Sequence, residues 1–255
     1  MSKAKKIVIT VIAVLLVLSL AAGFFVPRIM LAVATSTIIN DVVEPATYFT
    51  EFDVRNEDVQ TIDNGHIAID IPKELIKKDE NFYNLSIYKN ADESASIILM
   101  DPLDLSDLNI MREGMILDSM IHEAKTPTKI SISSKQLLRG FEAMGNCIPD
   151  SAYNTYKCCY LTSKDDNSFW NINQASAFLV AGSLKSIMAT YGPMQIYESD
   201  SICGFVSVTL ESDGISRGLL EVYSTDDLNT VTGILVKGMD SNDVYAIMNS
   251  ARACE

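Results

Sequence analysis

Histidine is scarce in this sequence, because only His66 and His122 occur among 255 residues. Histidine is the side chain most often used as a general base. His66 lies in an Asn-Gly-His turn that enters a predicted strand, and His122 lies near the end of a predicted helix. The sequence also lacks Gly-x-Ser-x-Gly, the P-loop and the dinucleotide-binding glycine pattern. These absences argue against the common classes of hydrolase and nucleotide-dependent enzyme.

The sequence has no Cys-x-x-Cys spacing, which removes the usual signature of a structural zinc site. The acidic set Asp101, Asp104 and Asp107 lacks the alternating spacing of a calcium loop. Helix capping by Asp104 or Ser106 explains these residues better. We therefore predict neither a metal site nor a cofactor.

Cysteine occurs five times, at Cys147, Cys158, Cys159, Cys203 and Cys254. An odd number leaves at least one thiol unpaired, and the adjacent Cys158 and Cys159 cannot easily bond each other. In an oxidising compartment we expect Cys147 to pair with Cys158 or Cys159. In a less oxidising one we expect buried free thiols.

Charge is absent from Ile7 to Phe25, an apolar run close to the roughly 20 residues that a membrane-spanning helix needs. Lysines precede this run at positions 3, 5 and 6, and Arg28 follows it. The positive-inside rule therefore predicts a single-pass protein of the cell membrane. Its tip, residues 1–6, would be cytoplasmic, residues 7–25 would form a transmembrane signal-anchor, and the rest would be extracytoplasmic.

A cleaved signal peptide is the alternative interpretation of the same run. Ser19-Leu20-Ala21 and Ala32-Val33-Ala34 both fit a small-residue cleavage site. The run is longer than a typical signal-peptide core, which favours the anchor. Cleavage would make the protein secreted, and the predicted orientation is the same in both cases.

Basic residues are few in the remainder of the chain. Residues from 29 onward carry 20 − 4 = 16 Lys and Arg against 33 Asp and Glu, a net charge of 16 − 33 = −17. Nucleic-acid binding needs a basic patch, so we predict no nucleic-acid partner. The predicted partners are the membrane, through residues 7–25, and a protein or cell-envelope component.

Hydrophobic patterning predicts a stalk over residues 29–60 and an α+β domain over 61–255. Alternation of apolar and polar residues predicts early strands within 65–72, 85–88 and 95–100, and a later meander within 195–197, 204–210, 218–223 and 231–236. Helical spacing predicts helices from 106 to about 124, after Ser133-Ser134, from 174 to 191 with Asn173 as the cap, and after Ser241-Asn242. The predicted fold is an amino-terminal transmembrane helix followed by an antiparallel sheet packed with helices, an α/β sandwich.

Two stretches of the sequence resemble parts of a known fold. The first is the strand Ile69-Asp70-Ile71-Pro72 with its following turn, and the second is the final meander with the helix that ends at Ile247-Met248-Asn249-Ser250-Ala251. Together they resemble the opening and the close of the PsbP-like α/β sandwich superfamily, over about residues 62–100 and 194–252. The resemblance implies a binding or assembly-assisting protein without a shared active site. It assigns no functional residue.

The segment from Ile148 to Asn173 is read as loop and short helix, and it contains the only tryptophan. We predict a binding surface formed by Tyr153, Tyr156, Tyr160 and Trp170, with a cap over the core as the alternative for these aromatic residues. The predicted function is a membrane-tethered, extracytoplasmic, non-enzymatic binding or interaction domain. The alternative is a thiol-dependent enzyme or redox protein that uses Cys158 or Cys159 with a histidine.

Overall fold

The computed structural model describes residues 19, 22–32, 44–49, 58–78, 84–106, 115–117, 130–145, 147–188, 192–210 and 216–254. The predicted cytoplasmic tip, most of the predicted membrane segment and His122 lie outside these residues.

Fourteen strands are described, and their order in the main sheet departs from their order in the chain. The strands are β1 (Thr47–Tyr48), β2 (Val59–Asp63), β3 (Ile67–Pro72), β4 (Ile76–Lys77), β5 (Leu85–Lys89), β6 (Ser96–Met100), β7 (Leu103–Asp104), β8 (Met115–Leu117), β9 (Ile130–Ile132), β10 (Met194–Glu198), β11 (Ile202–Leu210), β12 (Ser216–Ser224), β13 (Asp227–Met239) and β14 (Arg252–Ala253). Nine of the described strands form one sheet in the order β1-β10-β11-β12-β13-β6-β5-β4, with β7 beside β13. A second sheet has the order β14-β3-β2, and β8 pairs with β9.

Five α-helices are described. They are α1 (22–32), α2 (Ser134–Met144), α3 (Ala152–Leu161), α4 (Ile172–Met188) and α5 (Ser241–Ser250). A short 3₁₀ helix, Lys164–Asp166, lies between α3 and α4.

Helix α2 begins where the sequence predicts it. The Ser133 side chain accepts a hydrogen bond from the backbone N–H of Gln136, and the Gln136 side chain accepts one from the backbone N–H of Ser133. This reciprocal arrangement is a capping box. Gly145 ends the helix with a φ of 74°, which glycine adopts without a steric penalty.

Two predicted caps are displaced along the chain. Asn171, not Asn173, caps α4, because its side-chain oxygen accepts hydrogen bonds from the backbone N–H groups of residues 173 and 174. Asp240 caps α5 in place of Ser241-Asn242, since its carboxylate accepts from the backbone N–H of Asp243. An aspartate or asparagine one or two residues earlier satisfies the first N–H groups of the helix equally well.

The largest hydrophobic core lies between the main sheet and the small sheet with α5. Alternate residues of β3 (Ile67, Ile69 and Ile71) are fully buried there, as the alternating pattern predicts. They contact the face of the main sheet that carries Leu220 and Ile234. Two smaller cores lie on the helical side of the molecule: one under α3, and one among α1, α2, α3 and α4.

The predicted fold class needs correction in its first element. In the part of the chain that the structure describes, no helix has both the length and the apolar character needed to cross a membrane. The first helix continues past residue 25, the predicted end of the membrane segment, to residue 32. Leu31 is 5% exposed and packs against the core of the helical side, so the last turn of α1 is part of the folded domain.

Three further elements differ from the predictions. The main sheet is mixed, because β1 pairs with β10 in parallel, although β10 to β13 form the predicted antiparallel meander. Residues 115–117, predicted as helix, form β8 and pair with β9. Residues 152–161, read as loop and short helix, form three turns of α-helix.

The segment expected to be a stalk contributes to the domain. The backbone N–H of Ala46 donates to the carbonyl of Tyr160, and that of Phe49 donates to the carbonyl of Ile196. The Phe49 side chain is buried in the main core. Residues 44–49 therefore belong to the folded domain, which begins before residue 61.

Candidate functional site

The four aromatic residues predicted to form a binding surface lie in two different environments. Tyr153 and Tyr160 are 3% and 2% exposed, Tyr156 is half-buried, and Trp170 is 69% exposed. The three tyrosines occupy positions i, i+3 and i+7 of α3, which place them on the side of the helix that faces the sheet. Burial leaves Tyr153 and Tyr160 unavailable to a partner, whereas Trp170 is accessible.

The buried aromatic residues pack against the main sheet. The ring centroid of Tyr153 lies 5.2 Å from that of Phe205 and 5.5 Å from that of Tyr223, and the Tyr160 ring lies 4.8 Å from Phe205. These distances are typical of attractive aromatic pairs. We call Tyr153, Tyr160, Phe205 and Tyr223 the tyrosine cluster, and its direct packing identifies it as core.

The hydroxyl groups of this cluster differ in their partners. Tyr153 donates a 2.9 Å hydrogen bond to Glu198 Oε1, which also accepts a 2.7 Å hydrogen bond from Lys157 Nζ. Burial, with smaller effects from Cys203 and Glu198, raises the pKa of Tyr153. The Tyr160 hydroxyl is buried and has no hydrogen-bond partner among the described residues.

Glu221 is an unusual acidic residue at the edge of the tyrosine cluster. It lies on β12, opposite Phe205 of β11 and Gly233 of β13. Part of the residue reaches solvent, yet burial raises the pKa of its carboxyl group to about 7. Among the described residues, none forms a hydrogen bond or an ion pair with this carboxyl group.

The charge of Glu221 acts on its tyrosine neighbours. Burial raises the pKa of Tyr156, Tyr160 and Tyr223, and the Glu221 carboxylate raises all three further. A carboxyl group that lacks a partner and has this pKa is a common feature of functional sites, although buried structural groups also show it. The sequence contained a signal for the burial of Glu221. The residue lies between Leu219 and Tyr223 in the alternating pattern of β12, on a strand face whose side chains are buried.

The cysteines give a clear pattern. Cys147 and Cys158 form a disulfide, with their Cα atoms 5.5 Å apart. Cys159 and Cys203 are buried free thiols, and burial raises the pKa of each to about 12. A thiol must ionise to act as a nucleophile, so neither cysteine is activated, and Cys158 has no free thiol in the disulfide form.

His66 makes contacts that are typical of a structural residue. Its Nδ1 lies 3.2 Å from the hydroxyl of Thr232, which also accepts a hydrogen bond from Asn64 Nδ2. Burial lowers the pKa of His66, and Asp227 opposes this effect. His66 directly precedes β3, and its backbone carbonyl accepts a hydrogen bond from the N–H of Cys254.

Lys185 of α4 is buried, at 6% exposure. Its ammonium group donates hydrogen bonds of 2.8 Å to the carbonyl of Glu44 and 2.6 Å to the carbonyl of Thr162. Burial lowers the pKa of Lys185 to about 8, with Cys159 and Asp166 opposing the shift. The lysine therefore holds residue 44 against the end of α3, which is a structural role.

Large apolar side chains are exposed at the amino-terminal end of the domain. Helix α1 exposes five of them, and the loop before α4 adds an aromatic pair. We call this set the apolar surface: Phe24, Phe25, Val26, Ile29, Met30, Phe169 and Trp170. The sequence analysis singled out Trp170, assigned Phe24 and Phe25 to the membrane span of residues 7–25, and placed Ile29 and Met30 in the stalk of residues 29–60.

Arg28 joins the two parts of the apolar surface. Its guanidinium carbon lies 3.6 Å from the centroid of the Phe24 ring, a cation–π contact. Its Nη1 donates to the carbonyl of Phe24 at 2.7 Å, and its Nη2 donates to the carbonyl of Trp170 at 3.3 Å. The helix and the aromatic loop are therefore neighbours.

The loop that carries Phe169 and Trp170 is fixed by polar side chains. Asp166 accepts hydrogen bonds from the backbone N–H and the hydroxyl of Ser163, and the carbonyl of Asp166 accepts one from the Gln174 side chain. The Ser168 hydroxyl accepts from the N–H of Asn171. The two rings meet edge to face, with centroids 5.2 Å apart.

No group of three or more His, Cys, Asp or Glu side chains in the described residues has an arrangement that could hold a metal ion. No protein-family model matches the chain, and no curated protein matches it either. The resemblance to the PsbP-like superfamily therefore stays a prediction, and function must be inferred from geometry.

Proposed function

We propose that this protein is a non-enzymatic interaction domain that works outside the cytoplasm and binds its partner through the apolar surface. The observation that carries the proposal is the exposed Phe169–Trp170 pair on an ordered loop, held by Arg28 beside the exposed apolar residues of α1. Contiguous apolar patches on soluble domains mark contacts with proteins or membranes. Aromatic residues are enriched in such contacts.

The charge of the chain strengthens this assignment. Residues from 29 onward carry a net charge of 16 − 33 = −17, so most of the surface is expected to be acidic and well hydrated. An apolar surface on such a molecule costs solubility, and a binding role accounts for its presence.

The extracytoplasmic location is supported by the disulfide between Cys147 and Cys158. Disulfides persist mainly in oxidising compartments outside the cytoplasm. The raised pKa values of Cys159 and Cys203 weigh against the thiol-dependent alternative, because a buried neutral thiol is a poor nucleophile.

Site-specific photo-crosslinking of the full chain tests the proposal. A photoreactive phenylalanine analogue replaces Trp170 in one variant and Ile148 in the control, in cells that produce the protein. The control is matched, because Ile148 is also 69% exposed but lies at the disulfide end of the helical side.

We expect irradiation to give defined adducts, with protein or with lipid, at position 170 and few at position 148. Equal labelling at the two positions, or no adducts at either, would contradict the proposed function. Mass spectrometry of the adducts reports the class of partner.

A further inference from the structure

The side chains of the apolar surface are of the kind found where proteins meet a lipid bilayer. Tryptophan and phenylalanine on one face, with arginine beside them, are the side chains that interfacial helices place at the boundary of headgroups and acyl chains. The indole ring has an apolar body and one N–H donor, which suits the boundary between acyl chains and water. Trp170, at 69% exposure, presents most of its ring outward.

Helix α1 supplies a second, larger part of the same surface. Phe24, Phe25, Val26 and Ile29 are each more than 40% exposed, whereas Leu31 at the end of the helix is buried. The exposed side chains lie on the described part of α1, and the sequence before them is uncharged back to residue 7. The apolar surface is therefore continuous in sequence with a long stretch that is strongly apolar.

Arg28 is the only Lys or Arg between residues 7 and 54. Its guanidinium lies over the ring of Phe24 and donates hydrogen bonds to the carbonyls of Phe24 and Trp170. Arginine at a lipid interface keeps its stem in the apolar layer and its charge near the phosphates.

We propose that the apolar surface lies in the interfacial layer of a phospholipid bilayer, with Phe169 and Trp170 inserted at headgroup depth. This inference rests on the proposed function and names the partner of the same surface. It assigns the Phe169–Trp170 loop, distant in sequence from α1, as a second lipid contact. Two contacts fix the orientation of the domain relative to the membrane plane.

The charge of the domain predicts a lipid preference. A net charge of −17 beyond residue 28 repels anionic headgroups. We therefore expect the loop to insert into phosphatidylcholine vesicles, and less deeply into vesicles rich in phosphatidylglycerol at low salt. Added salt should reduce the difference between the two lipids.

Trp170 provides the probe, because it is the only tryptophan in the chain. The full chain is mixed with phosphatidylcholine vesicles whose acyl chains carry bromine near the headgroup, and its tryptophan emission is recorded. The matched control combines Trp170→Phe with Ile148→Trp, which moves the indole to an equally exposed position. Both proteins keep residues 7–25, so any contribution of that stretch to vesicle binding is the same in each.

The expected result is emission at shorter wavelength and strong bromine quenching for Trp170, with neither change for the tryptophan introduced at position 148. Emission and quenching equal to those of the control would overturn the inference, as would a failure of the chain to sediment with the vesicles. If crosslinking at position 170 gives protein adducts while quenching stays at the control level, the surface binds a protein. In that case the proposed function stands and this inference fails.

Discussion

The raised pKa of Glu221 makes a quantitative prediction about stability. The folded protein holds a proton on this carboxyl group up to about pH 7, whereas the ordinary value is 4.5. The folded state therefore binds more protons than the unfolded chain between these values. The contribution of Glu221 to stability must fall as pH rises from about 4.5 to about 7, and it is constant above that range.

The size of the effect follows from the shift. A difference of 7 − 4.5 = 2.5 pKa units corresponds to about 3 kcal/mol at 1.36 kcal/mol per unit. This figure is an upper value, because part of Glu221 is accessible to solvent. Glu221→Gln keeps the shape of the neutral acid and cannot ionise, so the variant should lack this loss of stability.

We expect Glu221→Gln to match the wild type near pH 4.5 and to exceed it by up to about 3 kcal/mol at pH 8. Denaturant unfolding followed by far-ultraviolet circular dichroism, with the disulfide intact, measures both values. Other acids also contribute to the pH dependence of stability; hydrogen bonds from Ser94, for example, lower the pKa of Asp92. Subtracting the wild-type stability from that of the variant at each pH removes these shared contributions.

Glu142→Gln, on the exposed side of α2, is the control for removing one carboxylate from the surface. If the advantage of Glu221→Gln over the wild type is the same at pH 5 and pH 8, Glu221 is not desolvated and the reasoning is refuted.

Three further predictions concern the helical side. Replacing Cys147 and Cys158 together by serine should cost about 3 kcal/mol, the loop entropy for a separation of 11 residues, and should make unfolding insensitive to reductant. Wild-type stability that does not change when reductant is added would contradict this. Lys185→Met should lose stability relative to the wild type as pH rises from about 8 to 10.5. Burial lowers the lysine pKa to about 8, so the folded state releases its proton before the unfolded chain does, and the stability contributed at this site rises over that range. Parallel pH profiles for the two proteins would refute the assignment. Gly140→Ala should cost roughly 1–3 kcal/mol, because the added carbon would lie 2.3 Å from the Asn173 carbonyl oxygen between α2 and α4. Lys135→Ala, on the exposed side of α2, is the control for denaturant unfolding.

The strands were predictable from the sequence. The alternation in β3 reflects burial of its isoleucines against the main core. In β11 and β12 one set of alternate residues packs on the main core and the other on the core under α3. Helix α2 was predictable because its capping residues act locally. In each case the signal lies within a few residues of the element that it describes.

Elements placed by distant partners were missed. Residues 47–48 form a strand because they pair in parallel with β10, which lies nearly 150 positions away in the chain. Residues 115–117 have apolar neighbours at spacings that suit a helix or a strand, and pairing with β9 decides between them. Local periodicity contains no information about such pairings.

The candidate site also combines features that follow from the local sequence with contacts between distant residues. The spacing of Tyr153, Tyr156 and Tyr160 is helical, and recognising that period would have predicted their burial on one side of α3. Exposure of Trp170 follows from its place in the loop before α4. Trp170 lies near Phe24 because Arg28 contacts both residues, and Arg28 is 142 positions from Trp170 in the chain. No local pattern predicts that contact.

The central claim is that the apolar surface is where this protein meets its partner. Hydrogen–deuterium exchange of the full chain, with and without cell-envelope membranes from cells that produce it, tests this most directly. Binding should slow exchange in residues 22–32 and in the loop around Phe169 and Trp170. Exchange at β4, whose Ile76 is also exposed, should not change. Protection at β4 with none at the apolar surface would contradict the account.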